Sequence, residues 1–537
     1  MTTTVSGTDT LTRDALAVLQ PGFVGTTPPD WLLRTIGEGL ASVGLFGRNV
    51  AGPGQLAALT GALRRERDDI LVAIDEEGGD VTRLEVREGS SFPGNHALGA
   101  VDDPGLTRDV AHELGRRLAA CGVNLNWAPS ADVNSNLDNP VIGVRSFGAD
   151  PELVARHTVA YVEGLQAAGV AACVKHFPGH GDTAVDSHHA LPRIDVDLDT
   201  VHARELLPFR AAIAAGAQSV MSAHILLPAL DPARPATLSR RILTGLLREE
   251  LGFQGPIVTD GMEMQAIAAV YGIERGSVLA IAAGADAICV GGGLADEDTV
   301  RRLRDALVTA VRTGELPEER LADAAARVRG LADWARRARR SSAPPDPAGT
   351  PATATQNGTA PTPPTDPATS SGAAAGPGAA AGPAGSPDSA TPIGLLAARR
   401  ALRVTGTPTP LTRPPYVATL TPVANIAVGT ETPWGLATEL DRLLPGTESA
   451  TYQDAPDLPS RILAAAGPHP LITVVRDLHR HPWMATTVNT LLTARPDTVI
   501  VEMGLNESPP QGPLHIATHG AARVCAQAAA EVIAGRG

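Results

Sequence analysis

A fifteen-residue stretch, KHFPGHGDTAVDSHH at residues 175–189, concentrates four histidines, two aspartates and a lysine. A metal site is one use for such residues, and His176 and His180 have the i, i+4 spacing of a helical zinc pair. Pro178 and Gly179 lie between them, however, and both residue types disfavour the interior of a helix. The sequence also contains neither an HExxH motif nor a Cys/His quartet with zinc spacing. We therefore predict no metal site here.

Acid/base catalysis fits this stretch better, because Asp186 and His188 lie two residues apart in a segment whose proline and glycine predict a loop. A carboxylate bonded to one ring nitrogen fixes the tautomer of an imidazole and raises the basicity of the other nitrogen. Histidine titrates near neutral pH, so it can donate a proton and later take one back. The alternative is a loop aspartate that binds its own backbone beside an exposed histidine.

A second candidate for chemistry is Asp260, in the segment PIVTDGMEM. A carboxylate at the end of a buried strand and before a glycine can act as a nucleophile towards the anomeric carbon of a sugar. It can equally cap the N-terminus of a helix, which aspartate often does. Taken alone, Asp260 fits a helix cap as well as it fits a nucleophile.

The elements that would position these residues alternate between short apolar runs and amphipathic segments. Continuous apolar runs followed by helical patterns indicate parallel strands that are buried on both faces. Eight such units in about 300 residues match a (β/α)8 TIM barrel. An open doubly wound sheet is the alternative, but no GxGxxG follows the first strand. Polar residues follow the runs: Asp75 after ILVAI, Asp132 after NLNWAPSA, Lys175 and His176 after AACV, His224 after SVMSA, and Asp260 after PIVT. In a parallel barrel these strand ends open onto one face, so we expect the side chains to converge there.

Composition divides the chain into three parts. Residues 341–392 are almost entirely Pro, Ala, Gly, Ser and Thr, and they predict a disordered linker because they have little to bury. Residues 1–340 form the predicted barrel domain. Residues 393–537 contain the strand-like runs LITVVRD, DTVIVEMG and PLHIATHG, and they predict a smaller α/β-sandwich domain. The linker suggests few contacts between the two folded blocks.

The charge balance argues against a nucleic-acid partner. The chain has 44 basic and 58 acidic residues and a net charge of −14, whereas proteins that bind phosphate backbones carry a basic face. The four cysteines are scattered, which indicates buried thiols. The N-terminus has no apolar signal region, and no run approaches about 18 apolar residues. These features predict a cytoplasmic protein with no membrane partner.

The motifs also resemble a known family. KHFPGHGDTAVDSH is similar to the signature of the bacterial β-N-acetylhexosaminidases of glycoside hydrolase family 3, the NagZ type. Five other segments resemble further motifs of the same family: IDEEGGDVTRL, NPVIGVRSFG, SVMSAHI, PATLS and VTDGMEM. The resemblance as a whole covers roughly residues 10–335. The C-terminal block resembles, more weakly, the α/β-sandwich second domain of longer members.

The resemblance implies a role for each matched residue and no cofactor. Asp260 would be the nucleophile that forms a covalent glycosyl-enzyme. His188 would be the general acid/base, and Asp186 would orient it. The residues implied in substrate binding are Asp75, Arg83, Arg145, Lys175, His176 and His224.

The implied activity is that of a retaining exo-β-N-acetylglucosaminidase that acts on muropeptides, as in cell wall recycling, or on chitooligosaccharides. Family β-glucosidases take a glutamate acid/base from elsewhere, so the Asp-Ser-His triplet points to the N-acetylglucosamine branch. A phosphorylase that releases N-acetylglucosamine 1-phosphate is an alternative, because a neutral imidazole does not repel an incoming anion. A glycan-binding protein without activity is a further alternative.

Overall fold

The computed structural model describes residues 7–186, 191–294, 296–342, 391–422 and 432–536. Most of the predicted linker and His188 of the predicted acid/base pair lie outside the described residues. The barrel domain and the second domain form one compact unit.

The described residues of the N-terminal part include eight short strands that run parallel. They are β1 (Leu19–Pro21), β2 (Ser42–Leu45), β3 (Leu71–Ile74), β4 (Leu125–Asn126), β5 (Ala171–Phe177), β6 (Ser219–Ser222), β7 (Ile257–Thr259) and β8 (Ile288–Val290). Strands β2 to β7 pair in chain order. Val258 of β7 forms a parallel bridge with Ala287, next to β8, and β8 pairs with β1. The hydroxyl of Ser42 in β2 donates to the Leu19 carbonyl of β1 at 3.1 Å. This sequential ring confirms the parallel α/β class and differs from the strand order of a doubly wound sheet.

Helices follow the strands and cover the outside of the ring. They are α1 (Gly7–Ala17), α2 (Asp30–Glu38), α3 (Pro53–Glu66), α4 (Asn95–Val101), α5 (Pro104–Ala120), α6 (Pro151–Ala167), α7 (Leu198–Thr200), α8 (Leu206–Ala214), α9 (Gln265–Tyr271), α10 (Ile273–Ala283), α11 (Glu297–Arg312) and α12 (Glu318–Ser342). Two wider segments with i→i+5 hydrogen bonds span Val201–Glu205 and Arg241–Glu250. Asp103 and Asp150 precede a proline and accept a backbone N–H bond, which explains the starts of α5 and α6.

The second domain is built on a six-stranded sheet. Its elements are α13 (Ile393–Ala401), β9 (Arg403–Gly406), β10 (Tyr416–Leu420), α14 (Ala437–Leu443), β11 (Glu448–Tyr452), α15 (Leu458–Ala466), β12 (Leu471–Val475), α16 (Pro482–Ala494), β13 (Val499–Glu502), β14 (Leu514–Ala517) and α17 (Arg523–Ile533). The strand order is β11-β10-β12-β13-β14-β9, and only β9 runs antiparallel to its neighbour. One apolar cluster includes α14 and α17, and another includes α15 and α16, so both faces of the sheet are covered.

The two domains share an interface, which contradicts the expectation of few contacts between them. Arg476 of the second domain forms an ion pair with Asp80 of the barrel, and the side chain of Asp80 is 2% exposed. Asp80 also accepts the Ala521 N–H at 2.8 Å. Helix α13 packs against α4 and α5. The composition of a linker predicts only whether the linker itself folds. Whether the two domains that it joins contact each other depends on the surfaces of those domains.

No single helix among the described residues is long and apolar enough to cross a membrane. Within the ranges that the structure describes, one bent pair, α9 and α10, which meet at 106°, reaches that length and composition together.

A pair of imidazoles in the interface makes folding sensitive to acid. His519 follows β14 and is buried, and its ring lies 5.3 Å from the ring of His96 in α4. Neither ring nitrogen of His519 has a described hydrogen-bond partner. Burial, with the charges of His96 and Arg403, lowers the pKa of His519 to about 3. Because the unfolded chain binds a proton near pH 6.5 and the folded chain does not, acid favours unfolding.

We expect the wild type to lose up to about 1.4 kcal/mol of unfolding free energy per pH unit from His519 alone below pH 6.5. The variant His519→Asn should lose this part of the pH dependence, and asparagine tolerates the left-handed backbone at φ +56. Urea unfolding at pH 7.5, 6.5 and 5.5 measures the difference. The exposed His112 offers a control, since His112→Asn should leave the slope unchanged. Equal slopes for His519→Asn and the wild type would contradict the prediction.

Candidate active site

The predicted strand-end residues converge at one end of the barrel. Asp75 directly follows β3, Lys175 and His176 lie near the end of β5, and Asp260 directly follows β7. A cavity of about 430 Å³ opens there, and we call it the barrel cavity. The predicted residues in its wall are Asp75, Arg83, Arg145, Lys175, His176 and Asp260.

A network of ion pairs fixes one side of the barrel cavity. The Lys175 Nζ lies 2.5 Å from Asp75 Oδ1 and 2.6 Å from Glu77 Oε1. Arg145 binds Glu77 through two hydrogen bonds of 3.0 and 2.7 Å. Arg83 lies 3.3 Å from the other oxygen of Asp75. Donors held in this way meet a ligand hydroxyl without reorganisation, because the protein has already ordered them.

The charges of this network are maintained despite burial. Burial opposes ionisation of Glu77, but Arg145 and Lys175 outweigh it and hold the pKa of Glu77 well below its usual range. Burial also disfavours the charge of Lys175, yet Asp75 and Glu77 raise its pKa. Glu77, Lys175 and Arg145 are therefore charged at neutral pH.

Glu77 was not among the site residues predicted from the sequence. Its signal was available in the run Asp75-Glu76-Glu77, because three consecutive acidic residues in a buried loop need cationic or backbone partners. Glu76 has the backbone partners: its Oε2 accepts the N–H groups of Arg83 and Leu84 at 2.7 and 2.8 Å. Glu76 thus positions the backbone of Arg83.

Asp132, which was expected at a strand end, lies behind the cavity and orients His176. It is fully buried, and its Oδ2 lies 2.7 Å from the Nδ1 of His176. Its Oδ1 accepts the backbone N–H groups of His176 and His180 at 3.2 and 2.7 Å. Burial opposes ionisation of Asp132, but the two histidines and their hydrogen bonds lower its pKa. The contact makes Nδ1 of His176 the donor to Asp132 and directs Nε2 towards the guanidinium of Arg145, 3.4 Å away.

His176 and His180, which have the i, i+4 spacing of a helical zinc pair, do not lie on a helix. Residues after Phe177 form a loop, and the rings of His176 and His180 lie 5.9 Å apart. Nδ1 of His180 lies 2.9 Å from the Thr183 hydroxyl. Burial and the neighbouring His176 lower the pKa of His180 to about 4. Among the described residues, no three His, Cys, Asp or Glu side chains are grouped to hold a metal ion.

Asp260 faces the barrel cavity and does not cap a helix. The next helix, α9, begins at Gln265, and Met264 precedes it at the cap position. The half-buried carboxylate of Asp260 accepts the Gly261 N–H at 2.8 Å, and the backbone N–H of Asp260 donates to Ser222 in β6 at 3.1 Å. The strand end and the turn after it therefore fix the position of the carboxylate.

His224 is fully buried and lies against the turn after β7. Its Nε2 donates to the Gly261 carbonyl at 3.0 Å, and its Nδ1 contacts the Thr237 hydroxyl at 2.8 Å. These contacts support the neighbour of Asp260. A direct contact between His224 and substrate stays a prediction.

Asp186 is the last described residue before the gap at 187–190. It is largely buried and lies in the wall of a second cavity, of about 280 Å³, between the barrel and the second domain. We call this the interdomain cavity. The pairing of Asp186 with His188 lies outside the described residues and stays a prediction.

Comparison with known proteins identifies the family. The profile of the glycosyl hydrolase family 3 N-terminal domain matches residues 35–331. β-Hexosaminidase A of Pseudoalteromonas piscicida is 39% identical over 312 residues, which are 53% of this chain and 52% of that protein. The chain thus spans about half the length of that relative. β-Hexosaminidase of Xylella fastidiosa strain M23 is 38% identical over 282 residues, which are 50% of this chain and 82% of that protein.

A solved structure extends the similarity over both domains. The family 3 β-N-acetylglucosaminidase of Paenibacillus sp. FPU-7 superposes with a TM-score of 0.78 at 32% identity, and the match covers 98% of this chain and 97% of that one. This agrees with the motifs at residues 175–188 and around Asp260 and confirms the resemblance. The chain therefore belongs to glycoside hydrolase family 3.

Proposed function

We propose that this chain is a retaining exo-β-N-acetylglucosaminidase, a β-hexosaminidase that releases terminal N-acetylglucosamine from muropeptides or chitooligosaccharides. The observation that carries the proposal is Asp260. Its carboxylate faces the same cavity as the fixed cluster of Asp75, Lys175 and Arg145. The names of the Pseudoalteromonas, Xylella and Paenibacillus relatives support the same activity.

The first half of the reaction uses Asp260 as a nucleophile. Its carboxylate attacks the anomeric carbon of the terminal sugar, and the bond to the leaving oxygen breaks. In the proposed scheme His188, oriented by Asp186, gives its proton to that oxygen. The hydrogen bond from Gly261 N–H to Asp260 keeps the carboxylate aligned, and His224 holds Gly261 from behind.

The second half returns the enzyme to its starting state. Neutral His188 takes a proton from water, which attacks the anomeric carbon and displaces Asp260. Two displacements give a product of retained configuration. Lys175, Arg145 and His176 would hold sugar hydroxyls throughout, because their own partners already fix them.

Matched nitrophenyl glycosides of N-acetylglucosamine and glucose test the proposal. We expect turnover of the N-acetylglucosaminide, release of the β-anomer first as seen by NMR, and little turnover of the glucoside. The reaction is run with and without phosphate, because release of N-acetylglucosamine 1-phosphate would make the protein a phosphorylase. Preference for the glucoside would indicate a β-glucosidase, and no turnover of either would leave a glycan-binding role. The cytoplasmic location predicted from the sequence stays a prediction.

A further inference from the structure

Two sets of contacts hold the loop that follows β5. We call residues 178–186, the described part of the segment with the predicted acid/base pair, the acid/base loop. In the first set, Asp132 accepts the backbone N–H of His180 at 2.7 Å. The side-chain amide of Asn139 donates to the carbonyls of His180 and Gly181 at 2.8 and 3.0 Å. These contacts fix the backbone of the loop close to the end of β5.

The second set comes from the segment before α8. Arg204 lies in the wide turn Val201–Glu205, whose hydrogen bonds run i→i+5. Its Nη2 donates to Asp182 Oδ2 of the acid/base loop at 2.6 Å, and its Nε donates to Glu205 Oε1 at 2.6 Å. Burial disfavours the charge of Arg204, but Glu205 and Asp182 outweigh it and raise its pKa. Because a planar guanidinium bound to two carboxylates has a fixed orientation, Arg204 also fixes the position of Asp182.

Glu205 also packs against the backbone of the acid/base loop. Its side chain is 1% exposed, and a Cβ atom placed on Gly179 would lie only 2.6 Å from Glu205 Oε2. Gly179 has φ +128, a conformation that favours glycine. Burial raises the pKa of Glu205 to about 7, against the effect of Arg204, so a proton offsets part of the cost of burying this carboxylate near neutral pH. The turn Val201–Glu205 therefore contacts the loop at Asp182 and again at Gly179.

The residues between Asp182 and Asp186 have little packing of their own. Ala184 and Val185 are exposed, whereas Asp186 is largely buried in the wall of the interdomain cavity. Four residues of chain span at most about 14 Å, so the position of Asp182 limits where Asp186 can lie. The ion pair of Asp182 thus acts just before the exposed stretch that leads to Asp186.

We propose that Arg204, supported by Glu205, is a positioning residue for the acid/base, because its ion pair with Asp182 holds the acid/base loop in place. The loop then presents Asp186 and His188 to the leaving oxygen. This inference rests on the proposed function, since it requires a glycosidase whose proton donor follows this loop. Neither Arg204 nor Asp182 is among the described residues that line the barrel cavity. The pair should therefore affect proton transfer and leave the attack of the nucleophile unchanged.

The test uses three N-acetylglucosaminides whose leaving oxygens differ in basicity. These are the nitrophenyl glycoside, the phenyl glycoside and the disaccharide of two β-linked N-acetylglucosamine units, in order of increasing basicity. Arg204→Gln should lower kcat/KM for the disaccharide about tenfold or more, as expected when a catalytic group is displaced by a fraction of 1 Å. The loss should be smaller for the phenyl glycoside and smallest for the nitrophenyl glycoside, which needs no proton donor.

A matched pair elsewhere on the barrel gives the control. Arg156 of α6 forms an ion pair with Asp102 at 2.7 Å, so Arg156→Gln also removes an arginine–aspartate contact. This variant should leave kcat/KM unchanged for all three substrates. A pair that only stabilises the barrel would behave in the same way at Arg204, or would lower kcat/KM for every substrate by one factor.

Variants of the partner identify the interaction. Asp182→Ala should reproduce the losses of Arg204→Gln, and it serves as the test if Arg204→Gln fails to fold. The double variant should lose no more than either single variant, because both remove the same contact. Asp182→Asn should lose less, since its side-chain oxygen still accepts a hydrogen bond from Arg204.

The inference is overturned if Arg204→Gln and Asp182→Ala lower kcat/KM equally for the three substrates, or if their losses multiply in the double variant. His188→Ala on the same substrates separates this outcome from a failure of the proposed function. If its loss increases with leaving-group basicity and that of Arg204→Gln does not, the acid/base assignment stands and the role of Arg204 is wrong. If His188→Ala shows no such increase, the acid/base assignment fails, and the inference about Arg204 fails with it.

Discussion

Asp260→Ala is expected to lower kcat by about 10⁴-fold or more while the protein stays folded, as for the loss of a catalytic nucleophile. The carboxylate sits at the end of β7, is half-buried and faces the barrel cavity. Its removal deletes the hydrogen bond from the Gly261 N–H, and the loss of that bond should lower the unfolding free energy by about 1 kcal/mol. Steady-state kinetics on the nitrophenyl N-acetylglucosaminide and a urea unfolding curve measure the two effects.

Azide gives this variant a distinctive readout. The alanine leaves space beside the anomeric carbon, and azide can enter it and displace the nitrophenolate directly. The product should then be the α-glycosyl azide, because one displacement inverts the configuration. Asp305→Ala, an exposed position on α11, should behave as wild type and give no azide adduct. Asp260 is not the nucleophile if its alanine variant keeps more than a few per cent of wild-type kcat.

The place of Asp260 could be predicted from the sequence because parallel strands end on one face. The same reasoning located Asp75 and Lys175, which are 100 residues apart in the chain and within hydrogen-bond distance in the structure. The prediction of each position required only an apolar run and the polar residue that follows it. Strand direction and ring order then determine which end of the barrel they share.

The partners of these residues could not be predicted in the same way. Glu77 joins Lys175 and Arg145, which are 98 and 68 residues further along the chain, and that contact depends on how three loops fold. His224 follows β6 as expected, yet its ring turns to Gly261. The end of an apolar run indicates where a strand ends, but the direction of the side chain that follows depends on the conformation of the loop around it.

The domain interface shows the same limit at a larger scale. Arg476 and Asp80 are 396 residues apart, and nothing in their local sequence marks them as partners. Their ion pair becomes visible only once the two blocks are docked. The interdomain cavity also forms only when the two domains are docked, because residues of both line it, so the role of the second domain could not be predicted from the sequence.

His188→Ala is expected to lower kcat/KM about 10²–10⁴-fold on a natural disaccharide, the usual contribution of general acid catalysis. A sugar alcohol is a strongly basic leaving group and needs a proton as it departs. Nitrophenolate is a weak base and leaves unassisted. The first displacement should therefore slow much less with the nitrophenyl substrate than with the disaccharide.

The second displacement separates acid/base catalysis from substrate binding, because His188 must also activate the acceptor water. With the nitrophenyl substrate the variant should show a burst of one nitrophenolate per active site, followed by slow turnover. Asp186→Ala should show the same pattern more mildly, since it disturbs the orientation of the imidazole and leaves the imidazole present. Rapid-quench measurements of the first turnover on both substrates decide the case. A residue that only binds the terminal sugar affects every substrate alike, so an equal loss for both leaving groups would make His188 a binding residue.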